Sequence, residues 1–200
     1  MRSELCERSP ARAGNRIMLM TGLLVGMLVL TGCTTAPKTS EAKNVLSAQV
    51  TEAIAVFKEK DPDIQRFFNS SYGYAVLPKV GKGALWLGAA YGKGQVYEKG
   101  KMVGFCDMKQ ASLGISFGGE YFREIIFFKD KVDLDRFRAE EYTFSAQATG
   151  VAATAGAAAK ADYQAGMVVF ITTDKGLMVD ASLGGQKFTY VPASYIVETK

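Results

Sequence analysis

The sequence contains no histidine. That absence removes the commonest general base near neutral pH and the commonest metal ligand together. Its three cysteines, Cys6, Cys33 and Cys106, lie far apart and form no metal-type spacing. An excess of one charge is also missing. The formal net charge of +4 falls to +2 once Arg2, Glu4, Glu7, Arg8, Arg12 and Arg16 are set aside as part of a leader. A nucleic-acid binder carries a concentrated basic stripe, and none is evident here, so no nucleic-acid partner is expected. Nor is there a comfortable membrane span. The apolar run Ile17 to Leu30 has 14 residues, against about 20 for a transmembrane helix.

That short run belongs instead to an export signal. A polar, net-positive lead with Arg8, Arg12 and Arg16 precedes it, and small residues follow it. Its end, Leu30-Thr31-Gly32-Cys33, resembles the bacterial lipoprotein box, in which the cysteine is diacylated and the signal is cut just before it. The resemblance implies a cleaved signal peptide over 1–32, a lipidated tether over 33–42, and palmitate-type chains on Cys33. Such chains hold a protein on a bilayer at about 0.8 kcal/mol per buried CH₂. The competing possibility is an ordinary secretory signal in which Cys33 is incidental. Thr34 rather than Asp follows the cysteine, which by the same resemblance favours the outer membrane over the inner one.

The remaining chain, with 48% hydrophobic and 22% charged residues overall, has room for one core. Ser40 to Lys60 places Leu46, Val50, Ala53, Ile54 and Phe57 at helical spacing. Its polar face mixes acid and base, which favours packing on a sheet over lying in a membrane. Asp61-Pro62-Asp63 predicts a second helix, with Asp61 as cap and Pro62 at the first position. A third, short helix is expected after Asp130, capped by Asp133 and carrying Leu134 and Phe137.

Between them, Tyr72 to Lys129 alternates like strands. Leu113, Ile115 and Phe117 interleave with Gly114, Ser116 and Gly118, and Leu85, Leu87, Ala89 and Tyr91 interleave with small residues and Trp86. Repeated strand glycines mark bends or close backbone approach. The expectation is therefore a curved antiparallel sheet. Tyr142 to Lys160 is rich in Ala, Gly, Ser and Thr and does not decide between helix and strand. Strand alternation returns over Met167 to Gly185, with a hairpin turn at Thr173-Asp174-Lys175-Gly176, and another strand is expected over Phe188 to Val191.

Few residues invite chemistry. Gly81-Lys82-Gly83 and Gly92-Lys93-Gly94 lack the hydroxyl that follows a phosphate-loop lysine, so they read as strand-end turns. With Lys79, Lys99 and Lys101, the lysines Lys82 and Lys93 would form a basic rim on consecutive turns, able to meet an anionic lipid headgroup. The competing reading is five solvated loop lysines. Cys106 lacks an activating partner and is expected to be a buried, inert thiol. Glu120 and Asp180 are the acids on sheet strands that merit inspection. Nothing specifies an enzyme, a metal or a cofactor.

From about Ala42 to Val191 the chain resembles the SYLF domain. The residues that carry the likeness are Gly73-Tyr74-Ala75-Val76-Leu77-Pro78 with Val80 and Gly81-Lys82-Gly83, then Tyr91-Gly92-Lys93-Gly94. Ser116-Phe117-Gly118-Gly119-Glu120 and Lys175-Gly176-Leu177 through Ala181-Ser182-Leu183-Gly184-Gly185 complete it. SYLF domains occur in bacterial envelope lipoproteins and in eukaryotic proteins that bind phosphoinositides and, in yeast, actin. The resemblance implies an α+β fold, with a curved, barrel-like antiparallel sheet, two N-terminal helices and one short inserted helix in a domain over 43–200. It also implies that Tyr142 to Gly156 is strand, and that the domain binds phospholipid headgroups without catalysis or cofactor. Actin is not expected for an exported bacterial protein. The chain departs from the pattern at Val103 to Asp107 and at Ala155 to Ala159. The alternative is an envelope structural or protein-interaction module, facing the periplasm, with an unknown protein partner.

Overall fold

The computed structural model describes residues 35–84, 87–113, 120–139, 143–144, 151–152, 156–173 and 186–195. The expected export signal, Cys33, Asp180, the 173–176 turn beyond Thr173 and the Ile115–Phe117 alternation lie outside them.

Helix α1 (Ser40–Lys60) begins where Thr39 Oγ1 accepts a hydrogen bond from the Ala42 N–H at 3.1 Å. Glu41 in its first turn and Lys58 and Lys60 in its last complement the helix dipole. Leu46, Val50, Ala53 and Phe57 are buried against the sheet, as their spacing predicts. Asp61 then caps a 3₁₀ turn (Pro62–Ile64) that runs into α2 (Gln65–Ser70).

Strands β1 (Gly73–Ala84), β2 (Leu87–Glu98), β3 (Lys101–Leu113) and β4 (Glu120–Phe128) follow. After them come α3 (Lys131–Arg138), β5 (Thr143–Phe144), β6 (Val151–Ala152), α4 (Ala157–Lys160), β7 (Met167–Thr173) and β8 (Gln186–Pro192). The sheet order is β5-β8-β3-β2-β1-β4-β7-β6. Its six longer strands pair antiparallel, and β6 pairs parallel with β7. The result is a mixed α+β fold whose sheet is curled but not closed.

Curling gives the sheet two unlike faces. The concave face carries Leu77, Val80, Val96, Cys106, Met108, Phe122, Ile126 and Phe188, roofed by Leu134 and Phe137 of α3. The outer face carries Val76, Phe105, Ile125, Phe127 and Phe170 beneath α1 and α2. Both are apolar, so β1, β4 and β7 are buried on both parities along much of their length.

Two local expectations are corrected. The cap of α3 is Asp130, whose Oδ1 accepts from the Asp133 N–H at 3.1 Å, while Asp133 sits buried in the first turn. The backbone at Asp130 is still extended (φ −138°, ψ −177°), as an N-cap requires. The two Gly-Lys-Gly motifs are not turns but lie inside β1 and β2. In β2 the glycines serve close approach: a Cβ at Gly92 would come within 2.6 Å of Val80 Cγ2. Helix α4 falls in the Tyr142 to Lys160 stretch, where the residues did not decide between helix and strand. Thr143–Phe144 and Val151–Ala152 are strand, in line with the resemblance at those positions.

Candidate functional site

The outer face divides along the line of α1. Ser47 accepts a hydrogen bond from Gln95 on β2 at 2.8 Å, Glu52 pairs with Arg123 on β4 at 3.3 Å, and Lys60 reaches Thr172 on β7 at 2.8 Å. The helix thus crosses the strands diagonally, and the described helices leave the half toward the β1–β2 connection open.

Two cross-strand rows lie on that open half. One runs Lys79, Lys93, Asp107 and Thr189 through successive register pairs of β1, β2, β3 and β8. The next runs Tyr121, Gly81, Tyr91, Lys109 and Lys187. Lys79 is brought out by a bulge. The pairing steps from Val76–Gln95 to Lys79–Lys93 and from Leu77–Glu124 to Val80–Phe122, so β1 holds one extra residue at this point. Pro78 sits there, where a residue without an N–H costs the ladder nothing.

Beside the bulge is a pocket of about 260 Å³ lined by Gln49, Glu52, Pro78, Lys79, Tyr121, Phe122 and Arg123. The Lys79 ammonium lies 4.3 Å from the centroid of the Tyr121 ring, a cation–π distance. Tyr121 is 57% exposed. Arg123 Nη2 meets Glu52 Oε1. The arrangement offers ammonium and guanidinium donors beside an exposed aromatic ring, chemistry suited to an anionic group that carries an apolar portion.

Of the lysines expected to act together, Lys79 and Lys93 are direct register partners. Lys82 pairs in register with Ala90 and Glu120. Lys99 and Lys101 belong to the β2–β3 hairpin, where Lys99 Nζ lies 5.1 Å from the Tyr72 ring centroid. From Lys93 to Lys99 the strand advances about 20 Å at about 3.3 Å per residue. A basic rim on consecutive turns is therefore not formed. Long strands separate the two sets. Lys109, Lys187, Arg123 and Tyr121, which complete the open half, were not singled out from the sequence, because their grouping depends on register between distant strands.

Cys106 is fully buried on the concave side, and burial, then the Asp107 carboxylate, pushes its thiol well above the ordinary range. That agrees with an inert thiol. The expected tether is packed from Thr35 onward. Thr35 Oγ1 donates to Asp107 Oδ2 at 2.7 Å, Ala36 touches the outer core and Pro37 is buried. Among the described residues, no helix is long and apolar enough to cross a membrane.

No family model matches the chain. Over 155 residues it is 29% identical to Beta cell expansion factor A of Aeromonas veronii, a match that covers 76% of this chain. The matched stretch covers 59% of that relative, so the chain spans under two thirds of its length. The likeness supports a SYLF-type protein.

Proposed function

We propose that the chain is a lipid-anchored protein of the bacterial cell envelope, facing the periplasm, whose SYLF-type domain binds phospholipid headgroups without catalysis. The observation that carries this is the open half-face. Lys79 and Lys93 stand side by side, and the pocket next to them joins Lys79, Arg123 and the exposed Tyr121 ring. A headgroup phosphate finds cations there, and the glycerol and upper acyl region find the ring. The lipoprotein-box resemblance at Cys33 supplies the anchor, with the outer membrane as its destination. The absence of histidine and the burial of Cys106 both fit a binding role.

The test is cosedimentation of the Cys33→Ser protein, which lacks the acyl chains, with phosphatidylcholine vesicles with and without phosphatidylglycerol. Binding is expected only to the anionic vesicles, to weaken in high salt because exposed charges are screened, and to fall in a Lys79→Ala/Arg123→Ala variant. No binding to anionic vesicles at low salt overturns the headgroup reading and favours a protein-interaction module.

A further inference from the structure

We infer that the domain rests on its membrane in one orientation, with the open outer half-face carrying Lys79, Lys109 and Lys187 turned to an anionic lipid surface. This rests on the lipid-anchored reading above, and it adds which face meets the bilayer and what holds it there.

Charge is the first argument. Lys79, Lys109 and Lys187 are exposed on one face, and Lys109 and Lys187 are register partners across β3 and β8. The acids on this half are Asp107, which accepts from Thr35, and Glu52, which pairs with Arg123, and they are outnumbered by Lys79, Lys93, Lys109, Lys187 and Arg123. The open half is thus a cationic surface that carries the exposed Tyr121 ring, which suits an interface where phosphates overlie apolar chains. Helices α1 and α2 cover the other half of this face, and α3 roofs the concave side, where its neighbouring Glu98–Arg138 and Lys131–Asp135 pairs balance charge.

Chain connectivity is the second argument, and it is independent of charge. Thr35, two residues after Cys33 in the sequence, is fastened to Asp107. Asp107 is the register partner of Lys93, which is in turn the partner of Lys79. The chain arriving from an acylated cysteine therefore joins the domain on the same row as the cations. A loose polar spacer would let the domain tumble beneath its anchor. Here Pro37 is buried and the hydrogen bond at Thr35 shortens the free linker, so the anchor and the cationic half-face act on the same side.

The experiment uses the full mature lipidated chain, which begins at acylated Cys33, reconstituted in phosphatidylcholine vesicles containing phosphatidylglycerol and a headgroup-attached spin quencher. A fluorescent label is placed on Lys109→Cys, on Lys187→Cys, or on Val132→Cys of α3 as the far-side control, with native Cys106 buried. The labels at 109 and 187 should lose most of their fluorescence and the label at 132 should keep it. Thr35→Val should narrow that difference while leaving the amount of vesicle-bound protein unchanged. Equal quenching at all three positions on protein that floats with the vesicles overturns the orientation alone. Protein that fails to float overturns the anchored reading, and the orientation with it.

Discussion

Gln186 Nε2 on β8 donates to Glu124 Oε2 on β4 at 3.1 Å, although three strands lie between β8 and β4 in the sheet. Only a strongly curled sheet brings those positions together, so this bond joins two distant strands across the concave interior. Gln186 Nε2 also lies 3.3 Å from Gln110 Oε1 on the neighbouring strand β3. Glu124 is fully buried, and burial pushes its carboxyl up from 4.5 to about 7, offset in part by the Gln186 hydrogen bond. Glu124 Oε1 and Gln186 Oε1 have no hydrogen-bond partner among the described residues. One proton on Glu124 would give both oxygens a role, as donor and acceptor of an acid–amide pair.

The protein should therefore lose stability as pH rises from about 4.5 to about 7, the ordinary and buried values for Glu124. The folded state holds this proton more tightly than the unfolded chain does. Its contribution is complete below 4.5, is lost through that window, and is constant above it. At about 1.4 kcal/mol per tenfold change in proton affinity, the loss amounts to about 3 kcal/mol. Glu124→Gln carries a permanent amide donor and should be the more stable protein at pH 8, with this part of the pH dependence gone. Urea unfolding of both proteins at several pH values measures it. Identical pH profiles would show that Glu124 is not the group responsible.

Helix α1 was legible in the sequence because only one face is buried, so Leu46, Val50, Ala53 and Phe57 stand out against Glu52, Lys58 and Glu59. The curled sheet was legible from its strand glycines. Glu124 was not, because Ile126 and Phe128 share its side of β4 while Ile125 and Phe127 cover the other. With both parities apolar, nothing local says that an acid there points inward. Its partner lies 62 residues away, and their meeting depends on curvature. The open half-face was half legible for a similar reason. Lys79 and Lys93 were flagged by glycine motifs near them in sequence, whereas Lys109 and Lys187 join them only through pairing between β3 and β8.

Asp61 ties two distant helix starts together. Its Oδ1 lies 3.3 Å from the Asp63 N–H nitrogen and 3.2 Å from that of Gly156, and its Oδ2 accepts from Ala158 at 2.6 Å. The side chain is buried, so water cannot easily replace it. Asp61→Ala leaves those donors without their acceptor and should cost about 3 kcal/mol. Asp61→Asn keeps one acceptor oxygen and should recover part of that. Urea midpoints give the cost, and faster hydrogen exchange at the Gly156 and Ala158 amides would locate it. Unchanged exchange there would contradict the shared cap.

Among the described glycines, Gly94 marks the closest backbone approach within the β1–β2 pair for which a side chain has no room. A Cβ at Gly94 would stand 2.3 Å from the Val76 carbonyl oxygen and 3.1 Å from Cys106 Sγ. The first obstacle is backbone held in the sheet, so the strands must separate rather than a side chain rotate. Gly94→Ala should therefore cost about 1–3 kcal/mol through overpacking. Gly100 provides the comparison. It sits in the β2–β3 turn at φ +77° with nothing within 4 Å of a Cβ. Gly100→Ala meets only the backbone penalty of the left-handed region, about 1 kcal/mol. Both should lower the urea midpoint with an unchanged slope, Gly94→Ala by more. It should also expose Cys106, which lies against the displaced strand, to thiol reagents that leave the parent protein untouched. If Gly94→Ala unfolds at the parent midpoint with Cys106 still protected, the tight β1–β2 approach is not what bends this sheet.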